Sequence, residues 1–185
     1  MPRLFLVGYR ATGKTTVGKL VADRLDLRFV DADGYLESAC GKSVRELFRD
    51  GGEAGFRDLE SVTLGELALV EVWNDHVVST GGGVVIRPVN RAYLRGGFVA
   101  RLTASAATIH ARMTADAVTF GARPNLTPGG GLREVEALLA EREPWYREVA
   151  DVTVDTEGRS PEAVADAIVT AYLARTVTPP RESVG

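Results

Sequence analysis

The sequence predicts an α/β fold in three layers, with helices on both faces of a five-stranded parallel sheet. Two observations carry that expectation. Five short apolar runs, Leu4–Val7, Leu27–Val30, His76–Thr80, Phe98–Leu102 and Val152–Asp155, alternate with segments whose apolar residues recur at helical spacing. The first run empties into Gly8-Tyr9-Arg10-Ala11-Thr12-Gly13-Lys14-Thr15, and a helical pattern reopens at Lys14. This is the strand, loop and helix order of a phosphate-binding loop, G-x-x-x-x-G-K-[ST].

The spacing inside the loop has a physical basis. Gly8 and Gly13 permit backbone conformations in which successive N–H groups point inward at phosphate oxygens. The helix that starts at Lys14 aims its positive end at the same point, Lys14 adds a mobile charge for the β- and γ-phosphates, and the Thr15 hydroxyl can ligate Mg²⁺. Binding of a nucleoside triphosphate is therefore expected. The alternative, a glycine-rich turn with an incidental Lys-Thr pair, would not demand all of these features within eight residues.

The remaining elements follow in order. Val17, Leu20, Val21 and Leu25 make the apolar stripe of the first helix. The second strand delivers Asp31 and Asp33 to the carboxyl edge of the sheet, where ligands of open α/β folds collect. Helical patterns run through Tyr35-Leu36 and Val44-Leu47-Phe48, and a longer one from Glu53 to Val72 bears Phe56, Leu59, Val62, Leu67 and Leu69. Arg57 and Glu60 share a face of it; taken alone, they read as a surface ion pair. The third strand delivers Gly81-Gly82-Gly83 to the same edge, a place for close approach of backbone to ligand or else a plain turn.

Pro88 opens the next helix, and Ser105 can cap another that reaches about Met113. Residues 114–131 are irregular, with Gly121, Arg123-Pro124, Pro128 and three further glycines, and are expected to form a mobile lid that carries Arg123. Leu132 to Arg147 is helical, with Pro144 expected to bend or end the helix near Arg142. Ser160-Pro161 starts the last helix, with Val164, Ile168, Val169, Tyr172 and Leu173 as its buried stripe, and residues 176–185 read as a flexible tail.

At 185 residues, 45% hydrophobic and 25% charged, the chain fits a single domain over residues 1–175. A net charge of -3 and no basic run argue against nucleic acid as a partner. No apolar stretch approaches a membrane span, Cys40 is the lone cysteine, and Met1-Pro2-Arg3 runs directly into the first strand, so a cytoplasmic protein is expected. His76, His110 and Cys40 are taken as structural, with no spacing that would make a metal site.

Across this order the residues resemble the shikimate kinase family. The resemblance rests on the phosphate loop in combination with Phe29-Val30-Asp31-Ala32-Asp33, Gly52-Glu53-Ala54-Gly55-Phe56-Arg57-Asp58-Leu59-Glu60, Ser79-Thr80-Gly81-Gly82-Gly83, Arg123-Pro124 and Arg142-Glu143-Pro144-Trp145-Tyr146. It implies a P-loop kinase fold with a lid and transfer of the γ-phosphoryl group of ATP to the 3-hydroxyl of shikimate with Mg²⁺ as cofactor; a monomer is expected. Position by position, it implies that Ala11, Thr12, Gly13, Lys14, Thr15 and Thr16 hold the nucleotide, with Arg123 reaching it from the lid and Arg159 lying near the adenine. Thr15 and Asp31 would hold Mg²⁺, and residues 31–60 would carry much of the shikimate site. Asp33 would contact the shikimate hydroxyls, Arg57 and Arg142 would clamp the carboxylate, and Gly82 would give a backbone N–H. Lys14, Asp33 and Arg123 would be the catalytic groups. Ala11 stands where the family often has glycine, and Asn125-Leu126 where it tends to have two leucines.

Two other functions share parts of this pattern. A related small-molecule kinase, for example one acting on gluconate, also needs the loop and an acid near its acceptor, but not Arg57, the triple glycine and Arg142 together. A nucleotide-dependent switch that reads guanine would carry an Asn-Lys-x-Asp run, which the sequence lacks.

Overall fold

The structure, a computed structural model, describes residues 3–115 and 131–177. In chain order its elements are β1 (Leu4–Val7), α1 (Lys14–Leu25), β2 (Arg28–Asp31), α2 (Ala32–Cys40), α3 (Val44–Leu69), β3 (His76–Ser79), α4 (Pro88–Leu94), β4 (Phe98–Thr103), α5 (Ala106–Ala115), α6 (Gly131–Val149), β5 (Val152–Asp155) and α7 (Pro161–Val177). The five strands form one parallel sheet in the order β2-β3-β1-β4-β5. Every residue of β1 is buried, as a central parallel strand covered on both faces requires. Because β1 lies between β3 and β4, the chain leaves the centre of the sheet in two directions, and a crevice opens at the carboxyl ends of these strands.

The three layers follow from the side chains. On one face Leu4, Leu6, Phe98, Ala100 and Leu102 meet Val17 and Val21 of α1 and Val164, Ile168 and Tyr172 of α7. On the other, Phe5, Val7, Val78 and Val99 meet Leu64 and Leu67 of α3, Leu94 of α4, and Tyr146 and Val149 of α6. A smaller cluster of Tyr9, Ile109, Val135 and Leu138 seats α5 and α6 on the phosphate loop itself. Another, of Leu36, Val44, Leu47 and Phe56, joins α2 to α3 beside the crevice.

Several elements differ from the sequence expectation. The patterns at 44–48 and 53–72 are, as expected, two helical arms, which meet within α3 at a kink where Gly52 takes φ 64 and ψ -173, and the second arm ends at Leu69 rather than Val72. A capping box between Ser43 and Glu46 starts α3. Val62 and Leu69 are exposed although they continue its apolar spacing. Pro144 does not end α6, which continues to Val149. The proline leaves the carbonyl of Ala140 without its helical donor, but Ala140 is exposed, and burial of Arg142, Tyr146 and Val149 holds the helix together around it. In α7 the buried stripe is Val164, Ile168 and Tyr172, whereas Leu173 is 40% exposed. The helix also runs to Val177, two residues into the expected tail. Thr114 and Ala115 end α5 and Gly131 begins α6, so the expected lid loses its outermost residues to helices. The rest of that segment, Arg123 included, lies outside the described residues, as do residues 178–185.

Candidate active site

The crevice is lined by two sets of groups. The first is the phosphate loop between β1 and α1. Gly8 sits at φ 144, and a Cβ there would lie 2.4 Å from the carbonyl oxygen of Leu102, so the loop can start only with glycine. Gly13 is left-handed as the N-cap of α1. Ala11 is also left-handed, at φ 60, a conformation that costs an alanine roughly 1 kcal/mol relative to glycine. The Thr12 hydroxyl donates to the Tyr9 carbonyl at 2.8 Å. Lys14 Nζ donates to the carbonyls of Gly8 and Tyr9 at 2.8 and 2.9 Å, which holds the ammonium inside the loop it serves. Thr16 is exposed in the first turn of α1.

Thr15 and Asp31 come together across the end of β2, with the hydroxyl donating to Asp31 Oδ2 at 2.9 Å. The other carboxylate oxygen of Asp31 caps α2 by accepting from the backbone N–H of Asp33 and Gly34. One hydroxyl and one carboxylate, both hard oxygen donors beside the loop, suit a Mg²⁺ ion that keeps most of its waters.

The second set lines an adjoining pocket: Tyr9, Arg10, Asp33, Val44, Phe48, Phe56, Arg57, Glu60, the triple glycine and Arg142. Arg57 and Glu60 are a buried pair, not the surface pair expected from spacing alone, with Nη1 2.8 Å from Glu60 Oε2 and side chains 8% and 7% exposed. Nη2 of Arg57 reaches Glu53 at 3.1 Å. Burial pushes the Glu60 carboxyl above its ordinary range, opposed by Arg57 and reinforced by the nearby charge of Asp33. Arg142, 4% exposed, donates from Nη1 to the carbonyl of Gly82 at 3.1 Å and lies with Cζ 5.7 Å from the centre of the Tyr9 ring. The Tyr146 hydroxyl donates to the same carbonyl at 2.6 Å, and burial pushes its pKa far up, so that it stays a donor. Gly82 was expected to offer its N–H; the structure adds a role for its carbonyl, which fixes Arg142.

The triple glycine is explained by approach distances. A Cβ at Gly81 would lie 2.8 Å from Glu60 Oε1 and 3.0 Å from Asp33 Oδ1, and one at Gly83 would strike the Arg57 guanidinium at 2.4 Å. The Nε atoms of Arg57 and Arg142 and Oε1 of Glu60 are buried with no hydrogen-bond partner among the described residues. A pocket with three guanidiniums, each with a buried Nε that has no partner among the described residues, and two carboxylates fits a small acid with several hydroxyls.

Of the residues singled out in the sequence, the structure brings Lys14, Thr15 and Asp31 to the loop and Asp33, Arg57, Gly82 and Arg142 to the pocket beside it. Arg159 lies apart, on the β5–α7 connection, with Nη2 donating to the Ala163 carbonyl at 2.9 Å. Three residues were missed. Arg112 bridges the Ala11 carbonyl to Thr156 at 3.3 and 3.0 Å, joining the loop to the connection that holds Arg159. Glu60 was visible only as a helix-face partner of Arg57. Arg10 gave no signal beyond its place in the loop.

Residues 10–173 match the family model described as shikimate kinase. The chain is 39% identical over 171 residues to the shikimate kinase of Rhodopirellula baltica, covering 91% of this chain and 89% of that one. Among solved structures it is similar to shikimate kinase from Acinetobacter baumannii in complex with shikimate, with a TM-score of 0.87, 32% identity and 96% of each chain covered. A gluconokinase from Sinorhizobium meliloti shares the fold alone, at TM-score 0.56 and 16% identity, with 95% of this chain and 93% of that one covered.

Proposed function

The chain belongs to the shikimate kinase family and is a kinase, and we propose for its own residues the following division of labour in moving the γ-phosphoryl group of ATP to the 3-hydroxyl of shikimate. Residues 11–16 hold the nucleotide through backbone N–H groups, and Lys14 leaves the carbonyls of Gly8 and Tyr9 to meet the β- and γ-phosphates. Thr15 and Asp31 hold Mg²⁺, which when bound neutralises charge on the phosphates. Arg57 and Arg142 grip the carboxylate of shikimate, because planar guanidiniums match it with paired N–H bonds. Asp33 orients the accepting hydroxyl and takes its proton. A bond forms from that oxygen to the γ-phosphorus, and the bond to the bridging oxygen of ADP breaks. Arg123 reaches the nucleotide from the lid, and Arg159 lies near the adenine.

The observation that carries this assignment is the common wall of loop and pocket: a Cβ at Gly82 would lie 3.1 Å from the backbone nitrogen of Arg10, so the acceptor site backs directly onto the phosphate loop. A monomer is the working unit proposed. The cytoplasm, where ATP is available, is the compartment proposed; no helix among the described residues is long and apolar enough to cross a membrane.

The test is ADP release from Mg-ATP with shikimate, with gluconate, and with neither. Release that depends on shikimate is expected. Release only with gluconate would move the acceptor assignment, and slow release indifferent to both would replace phosphoryl transfer by a switch.

A further inference from the structure

The acceptor pocket contains a third guanidinium that the division of labour above leaves without a task. Arg10 belongs to the phosphate loop, yet it lines the pocket with Asp33, Arg57 and Arg142. Its side chain, 11% exposed, crosses to the first turn of α6, where Nη2 donates to Glu134 Oε1 at 3.0 Å, and Glu134 is 1% exposed. Its Cζ stands 5.6 Å from the centre of the Tyr9 ring. One N–H of its five is used by the Glu134 bond, and Nε is buried with no hydrogen-bond partner among the described residues.

The charge in the pocket changes during the reaction. Shikimate brings one carboxylate, for which Arg57 and Arg142 are already assigned. After transfer, the same molecule also carries a phosphate monoester of about -1.5 to -2 charges at neutral pH. That phosphate stands where the pocket meets the loop, near the acidic Asp33 and Glu60. Lys14, placed on the β- and γ-phosphates, is shared between ADP and the transferred group, so it does not by itself hold that group on the acceptor side. A product phosphate therefore needs a cation that is rooted in the loop and faces the acceptor side, and Arg10 has that placement.

We propose, resting on the shikimate kinase reading above, that Arg10 is the residue that binds the new phosphate of the product, with Glu134 holding its guanidinium in position before transfer. Arg10 thereby acts on the phosphorylated acceptor and contributes little to recognition of the unphosphorylated one. Its geometry serves this role: the Glu134 bond fixes Nη2, while Nε, which has no partner among the described residues, is available to a phosphate oxygen.

The experiment measures binding of shikimate and of shikimate 3-phosphate by titration calorimetry to the full chain, as wild type, Arg10→Met and Arg10→Lys. Thermal unfolding of each verifies that it is folded. For Arg10→Met the expected result is a loss of roughly tenfold or more in affinity for the phosphorylated product against less than twofold for shikimate, since one charge-assisted contact is removed. Arg10→Lys, which keeps the charge without the fork, recovers part of the product affinity. Should Arg10→Met fail to fold, Arg10→Lys alone decides, because a selective loss for the product over shikimate is still expected of it. Equal losses for the two ligands, or none for either, would overturn the role of Arg10. Wild-type protein that releases no ADP in response to shikimate would instead overturn the reading on which the inference rests.

Discussion

The two halves of the site are built from different materials. The phosphate-binding part of the nucleotide half is largely contiguous: residues 8–16 supply backbone N–H groups, one lysine and one hydroxyl, and Asp31 joins them from the end of β2. The acceptor half is assembled from side chains on separate elements, with Asp33 from α2, Arg57 and Glu60 from α3, the glycines after β3, and Arg142 from α6. A cradle of backbone depends on conformation, set by Gly8, Gly13 and the start of α1. A pocket of buried charges depends on each partner being present, since a charge left alone in such a place is strongly destabilising. Substitutions on the acceptor side should therefore alter shikimate handling while ATP affinity stays nearly constant.

Asp33→Asn offers the largest effect. Turnover should fall by about 10² or more, the usual contribution of a general base, with the ATP Kd within twofold. Steady-state kinetics alongside a nucleotide titration would check it; unchanged turnover would remove Asp33 from proton transfer, as a loose transition state would allow. Arg57→Lys comes next. An ammonium cannot serve Glu60, Glu53 and a carboxylate with the same fork, so the shikimate KM should rise by roughly tenfold. Gly83→Ala sharpens the point, because its methyl would push on the Arg57 guanidinium without altering any charge. A rise of several-fold in shikimate KM, smaller than that of Arg57→Lys, is expected, with the ATP KM constant.

The smallest effect concerns a group outside both halves. Burial, aided by Arg28 and opposed by Asp75, lowers the pKa of His76, so the folded state favours its neutral form. A depressed folded pKa means that its contribution to stability is complete above the unfolded value of about 6.5 and is lost as pH falls through the folded value. Thermal midpoints measured from pH 7 to pH 5 should decline, and His76→Gln should flatten that decline without changing either KM.

The same contrast explains what could be read in the sequence. The loop was legible because its parts are neighbours with fixed spacing, and the five strands because central parallel strands are continuous apolar runs such as Leu4–Val7. In the acceptor half, strand order already placed Asp33 and the triple glycine at the sheet edge, whereas the roles of Arg57 and Arg142 were legible only through family resemblance. Periodicity places Arg57 and Glu60 on one helix face, but it cannot tell that this face is covered. Arg10 meets Glu134 across 124 residues, and Arg112 reaches Ala11 across 101, separations over which no local pattern operates. Pro144 misled for a related reason: a local rule about helix interiors was overridden by the buried contacts of Arg142 and Tyr146. Leu173 and Val62 continue apolar spacings beyond the width of the face that the sheet covers.

The most direct measurement of the divided site is the pair of KM values for Arg142→Lys, whose guanidinium is fixed by the Gly82 carbonyl and lies against the Tyr9 ring. The shikimate KM should rise by roughly tenfold while the ATP KM stays within twofold of wild type. Equal rises in both, or a rise for ATP alone, would contradict the separation of the two halves and the assignment of Arg142 to the shikimate carboxylate.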